Sequence, residues 1–186
     1  MDLSVAATLT PPQRLEHTLS LWPYMVPLVV VYFAEYALQS GVWAAMGFPV
    51  TSSSARTQFY EYANLCYQGG VVVSRSSGLL WRADIRALWV MPLLQLCMLL
   101  FFLLVAYTHF WYDWALLVPC FGVGLLGGAV YVGGFALIAE SVSPQLKEFS
   151  LATASVSNGI GVALANIAGI FIQRALYRYY GLSDQD

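Results

Sequence analysis

The residue whose chemistry is hardest to ignore is Glu35, in the run WPYMVPLVVVYFAEYALQSGVW over residues 22–43. Between His17 and Arg56 no other side chain carries a formal charge. A helix needs about 20 predominantly apolar residues to cross the hydrocarbon core of a bilayer. A carboxylate near the middle of such a helix costs roughly 2.5–3.5 kcal/mol on insertion scales. Glu35 therefore calls for a water-filled cavity, a hydrogen-bonding partner or a proton. Tyr24, Leu28, Tyr32, Glu35 and Gln39 follow steps of four, four, three and four, which gathers them into one stripe of a helix.

A second stripe follows downstream. Tyr60, Asn64, Tyr67, Gln68 and Arg75 share a helical face with Val71. Two polar stripes on neighbouring helices can enclose an aqueous path in which hydroxyls, amides and one acid contact a small polar solute. The same groups can also simply satisfy one another across a helix interface, because buried polar atoms must find partners. Glu35, Tyr32, Gln39, Asn64, Tyr67, Gln68 and Arg75 are the candidate solute-binding residues.

The elements that would position them follow from hydropathy. Of 186 residues, 59% are apolar and 10% charged, and mean hydropathy is +0.67. Soluble domains carry about 25% charged residues, so the composition is that of an all-α integral membrane protein. Five spans are expected, at about 21–45, 58–74, 87–107, 114–139 and 149–177, the second being the most polar. A polar lead over 1–20, unstructured or lying on the membrane surface, precedes this bundle at 21–177, and a polar tail covers 178–186. Pro27 lacks the N–H an inner turn would use, so a kink is expected there. Basic loop residues (Arg14, Arg75, Arg82, Arg86 and Lys147 against Arg56, Arg174 and Arg178) place the lead in the cytoplasm and the C-terminus across the membrane.

Other constellations argue for packing. FGVGLLGGAVYVGGF contains a formal G-x-G-x-x-G at Gly122, Gly124 and Gly127, but it lies in an apolar membrane run rather than a strand–turn–helix unit. Gly124 and Gly128, then Gly161, Ala165 and Gly169, have the spacing of close helix contacts. His109, Trp111, Tyr112, Asp113 and Trp114 read as an interfacial aromatic belt rather than a catalytic pair. Cys66, Cys97 and Cys120 are far apart and form no metal-ligand spacing. No nucleophile elbow, zinc helix or phosphate loop is recognisable. A net charge of −2 provides no basic field for nucleic acid. The expectation is therefore no enzyme, no catalytic residue, no metal and no cofactor, with the lipid bilayer and a small polar solute as partners. The start lacks the pattern of a secretory signal.

Three segments resemble the battenin family in order and spacing: VVVYFAEY at 29–36, YQGGVVVSRSS at 67–77 and GLLGGAVYV at 124–132. The Lys147-Glu148-Phe149 corner and the small-residue helix after it are similar to that family too. The resemblance covers roughly residues 21–175. It implies the C-terminal bundle of a major-facilitator-related fold in a lysosomal or vacuolar membrane. It also implies a role in basic amino-acid or glycerophosphodiester movement and in luminal pH homeostasis. The second wall of the path would then come from a second chain or from an N-terminal bundle outside this sequence. Where the family commonly places Asn and Thr after its glycine motif, this chain has Gly133 and Gly134. The alternative function is a non-transporting membrane adaptor in pH control or trafficking, working through basic loop residues such as Arg82 and Arg86.

Overall fold

The computed structural model describes residues 10–77 and 83–182, which form an all-α integral membrane fold. Helix α1 (Pro11–Ser20) occupies the second half of the polar lead. Its start is set locally: Pro11 suits the first helical position, and Gln13 Oε1 accepts from the Thr10 N–H at 2.9 Å. His17 Nε2 lies 2.7 Å from Ser150 Oγ and ties this short helix to the bundle.

Five long helical segments follow. They are α2 (Trp22–Ala37, prolonged to Ala45), α3 (Ser53–Ser77), α4 (Ile85–Thr108), α5 (Leu117–Ser141, entered through a 3₁₀ turn at Trp114–Leu116) and α6 (Lys147–Tyr180). All five fall where hydropathy placed them, the first within a residue of its expected bounds and the other four extended at one or both ends. Their ends show why. The Asp84 carboxylate accepts from the Ala87 N–H at 2.8 Å and starts α4. His109 (φ 54°) and Gly181 (φ 70°) take the left-handed conformation that closes α4 and α6.

Among the described residues, four segments are long and apolar enough to cross a membrane: Trp22–Ala45, Ile85–Thr108, Trp114–Ser141 and Lys147–Tyr180. Helix α3 is not among them. At 25 residues it reaches about 37 Å, sufficient for a bilayer. Its shortfall is in polarity, since Arg56, Glu61, Asn64, Gln68 and Arg75 interrupt its apolar residues.

In the bundle, α3 lies along α5 and α2 along α6, while α4 packs on both α2 and α5. Small residues permit these approaches. A Cβ on Gly124 would strike the Tyr67 carbonyl, and one on Gly128 would strike Ser74 Oγ, so α3 and α5 meet backbone to backbone. On the other seam, a Cβ on Gly161 would come within 2.7 Å of the Val29 carbonyl and one on Gly169 would strike Ser40 Oγ. Ala165, between these two, is fully buried. The outer faces of α4 and α6 expose Leu93, Leu100, Leu164, Ile167 and Phe171, the apolar surface that lipid requires.

Candidate functional site

Glu35 is one of the least exposed polar side chains in the chain, at 1%. It sits on α2 where that helix faces α3 and α5. Gly127 makes its position on α5 possible, because a Cβ there would fall onto Glu35 Oε1. From α3, the Tyr67 hydroxyl donates to Glu35 Oε2 at 3.4 Å. Glu35 Oε1 has no hydrogen-bond partner among the protein atoms. A buried carboxylate with one long hydrogen bond and one unpartnered oxygen is under-satisfied.

A ring of hydroxyls and one cation surrounds it. Tyr32, one turn earlier on α2, is buried and stacks at 6.1 Å on Tyr36. The Arg75 guanidinium lies within electrostatic reach of both Tyr32 and Glu35. Arg75 itself is exposed, with its guanidinium 4.4 Å from the centre of the Tyr131 ring on α5. The Gln39 amide approaches the Tyr67 hydroxyl, although its nitrogen makes no hydrogen bond of good geometry. The structure thus brings Tyr32, Glu35, Gln39, Tyr67 and Arg75 around one region.

Two candidates stand apart from this group. Asn64 is half-buried and donates to the Tyr60 carbonyl of its own helix at 2.8 Å. Gln68 is exposed, as are Tyr60 and Glu61 nearby. The α3 stripe therefore divides: Tyr67 turns inward to Glu35, whereas Gln68 faces away from the described bundle.

Several neighbours were not singled out from the sequence. Tyr36 and Tyr131 complete the aromatic surround, and the GLLGGAVYV motif that contains Tyr131 was the available signal. Beyond Ala37 the helix widens to a π turn at Leu38–Val42 and tightens to 3₁₀ at Trp43–Ala45. Ser40 Oγ donates to the Tyr36 carbonyl at 2.7 Å, and the Gly41 backbone presses on Gly169 and Ile172 of α6. Only the Ser-Gly pair hinted at this irregularity. Helix α2 continues through Pro27 without a break in its assignment.

The remaining motifs take structural positions. The Asp113 carboxylate accepts from the Ala115 N–H at 2.7 Å and caps the turn into α5. His109 packs on Tyr112 at 4.1 Å, and Phe48, Phe59, Tyr112 and Trp114 form one edge-to-face cluster. Ser141 Oγ meets the Tyr24 hydroxyl at 2.8 Å, joining α5 to the start of α2. Arg86 is exposed at the start of α4, and Arg82 lies outside the described residues. A separate cavity of about 340 Å³ opens at the bundle end, lined by Ser40, Ser53, Arg56, Thr57, Tyr60 and Tyr177 among others.

The family model described as CLN3 protein matches residues 4–179. Battenin from Canis lupus familiaris is 41% identical over 155 residues, covering 81% of this chain and 34% of the relative. Protein BTN1 from Chaetomium globosum is 38% identical over 161 residues, 85% of this chain and 35% of the relative. Protein BTN1 from Saccharomyces cerevisiae is 34% identical over 178 residues, 89% of this chain and 43% of the relative. The chain thus spans roughly a third to two fifths of the length of these relatives. No solved structure matches it significantly. With nearly its whole described length matched by the family model and by these relatives, the chain belongs to the CLN3 (battenin) protein family.

Proposed function

We propose that this chain forms one wall of a solute path in a lysosomal or vacuolar membrane transporter. One observation carries the reading: Glu35 is buried at the junction of α2, α3 and α5 with Oε2 held by Tyr67 and Oε1 unpartnered. An intramembrane carboxylate kept in that condition is a functional candidate by its cost alone. Its unpartnered oxygen suits a proton or the cationic part of a solute. Tyr32, Gln39 and Tyr67 shape the site, and Arg75 neutralises an anionic group or closes one end.

The exposed face of α3 supports the same reading. Gln68, Tyr60 and Glu61 sit on the outside of a helix too polar for a wholly lipid-facing position. Such a face suits an aqueous path, with Gln68 and Asn64 contributing amides to it and a second helical bundle forming the opposite wall. In a facilitator-type carrier, the two bundles rock about a site near the midplane. Resemblance to the family motivates the solute class of this proposal, basic amino acids or glycerophosphodiesters, together with an effect on luminal pH.

The test is flux in reconstituted vesicles, with labelled arginine and glycerophosphocholine as probes, for wild type, Glu35→Gln and Glu35→Ala. Loss of flux in both variants is expected, with protein yield and thermal unfolding unchanged in Glu35→Gln. Wild-type flux in both variants would remove Glu35 from the path. Absence of flux in the wild type itself would instead favour the non-transporting adaptor reading, in which reversal of Arg82 and Arg86 abolishes function.

A further inference from the structure

Helix α4 contributes another buried and unsatisfied polar group. Gln95 is fully buried, and neither its Oε1 nor its Nε2 has a hydrogen-bond partner. It is the one amide in an otherwise apolar stretch, LWVMPLLQLCMLLFFLLVAY over residues 88–107. A leucine would fill that place without the cost of an unmade hydrogen bond.

Its level in the bundle is fixed by its surroundings. The apolar core consists of two clusters, one containing Val31, Met91 and Val130, the other Leu38, Leu99 and Val123. On α4 the break between them falls at Gln95, one turn from Met91 and one turn from Leu99. On α2 it falls at Phe33, between Tyr32 and Ala34 and two residues before Glu35, and on α5 it falls between Val123 and Val130, the stretch that holds Gly127. Gly127 lies directly against Glu35 Oε1. Ring contacts bracket the same register, since Trp22 meets Trp89 at 6.0 Å and Trp43 meets Phe102 at 5.6 Å. Between α4 and α5, a Cβ on Gly122 would lie 3.9 Å from Met98. Glu35 and Gln95 therefore lie near the same level of the bundle, close to where the two apolar clusters divide.

We propose that Gln95 is a positioning residue for Glu35, its side-chain carbonyl accepting the hydrogen bond from Glu35 Oε1 when that oxygen carries a proton. The pairing assigns Tyr67 to one carboxyl oxygen and Gln95 to the other, which gives Glu35 Oε1 and Gln95 Oε1 a partner each. Other ionisable groups surround this level: Tyr32 and Tyr36 on α2, Tyr67 and Arg75 on α3, and Tyr131 on α5. Helix α4 adds only the exposed Cys97 thiol between Arg86 and Tyr107, and α6 carries its ionisable side chains toward its two ends. On α6 the buried Ser157 Oγ and Asn158 Oδ1 also lack partners, but they lie about a turn before Gly161, which meets Val29 and Tyr32, so Gln95 is the one nearer the level of Glu35. The inference rests on the reading of Glu35 as a proton-bearing group in the proposed path.

Infrared difference spectra of the protein in nanodiscs, recorded across pH, read the protonated carboxyl directly. The carbonyl band that disappears in Glu35→Gln belongs to Glu35. In Gln95→Leu and Gln95→Met, variants of similar volume, that band should move to higher wavenumber. The midpoint of its titration should fall, corresponding to about a tenfold loss of proton affinity. Gln95→Asn should retain part of both effects' absence, lying between wild type and Gln95→Leu. An unchanged band and midpoint in both the Leu and Met variants overturn the pairing while leaving the role of Glu35 intact. Absence of any such band in wild type, at every pH, overturns the pairing and the proton-bearing role together.

Discussion

Glu35 and Arg56 are the two formally charged side chains buried among the described residues, at 1% and 4% exposure, and their surroundings differ in kind. Arg56 stands near the start of α3, at the end of the bundle. It donates to the Val50 carbonyl at 2.6 Å, its guanidinium lies 5.3 Å from the centre of the Tyr177 ring, and its side chain borders an open cavity. A Cβ on Gly47 would meet the Arg56 backbone, so the loop before α3 closes tightly around this residue. Glu35 lies between helices with one hydrogen bond at 3.4 Å and a second oxygen unmatched. One buried charge is built into the packing of a loop and three elements. The other is left short of partners in a place where an apolar residue would be cheaper. The difference teaches that burial of a charge does not by itself argue for a working site; the lack of partners is what supports the proposed role of Glu35.

That contrast can be broken by substitution. Arg56→Ala should have the largest effect on stability, a loss of about 2–4 kcal/mol, because it removes the Val50 bond, the Tyr177 contact and buried side-chain volume together. Thermal unfolding in detergent or nanodiscs checks this. Gly127→Ala comes next, at about 1–3 kcal/mol, since the added methyl occupies the place of Glu35 Oε1. Pairing it with Glu35→Ala sharpens the point: the double variant should recover part of the loss in the same unfolding assay. Tyr67→Phe should cost about 1 kcal/mol, the net value of a single hydrogen bond, while reducing flux more than that small change in stability explains.

Much of the arrangement was legible in the residues. Period-3.6 spacing put Tyr32, Glu35 and Gln39 on one face, and the same spacing put Tyr67 on the inward face of α3. Glycine spacing indicated which faces of α5 and α6 approach their neighbours. Periodicity states which residues share a helix face, but not which helix that face meets. The contact of Glu35 with Gly127, and the division of the α3 stripe into inward Tyr67 and outward Gln68, depend on packing between segments distant in sequence. Gln95 was hidden for a related reason. A single amide in an apolar run has no periodic companion on its own helix, and its companions are on α2 and α5. The π turn at Leu38–Val42 was illegible because it arises where Gly41 presses on Gly169, a contact that local propensity does not encode.

The most direct measurement is the unfolding free energy of Glu35→Gln beside that of wild type. A charge retained for function rather than for packing can be neutralised without structural cost, so the variant should match or exceed wild type to within about 1 kcal/mol. A loss of more than about 2 kcal/mol would place Glu35 with Arg56 among the structural charges and contradict the account.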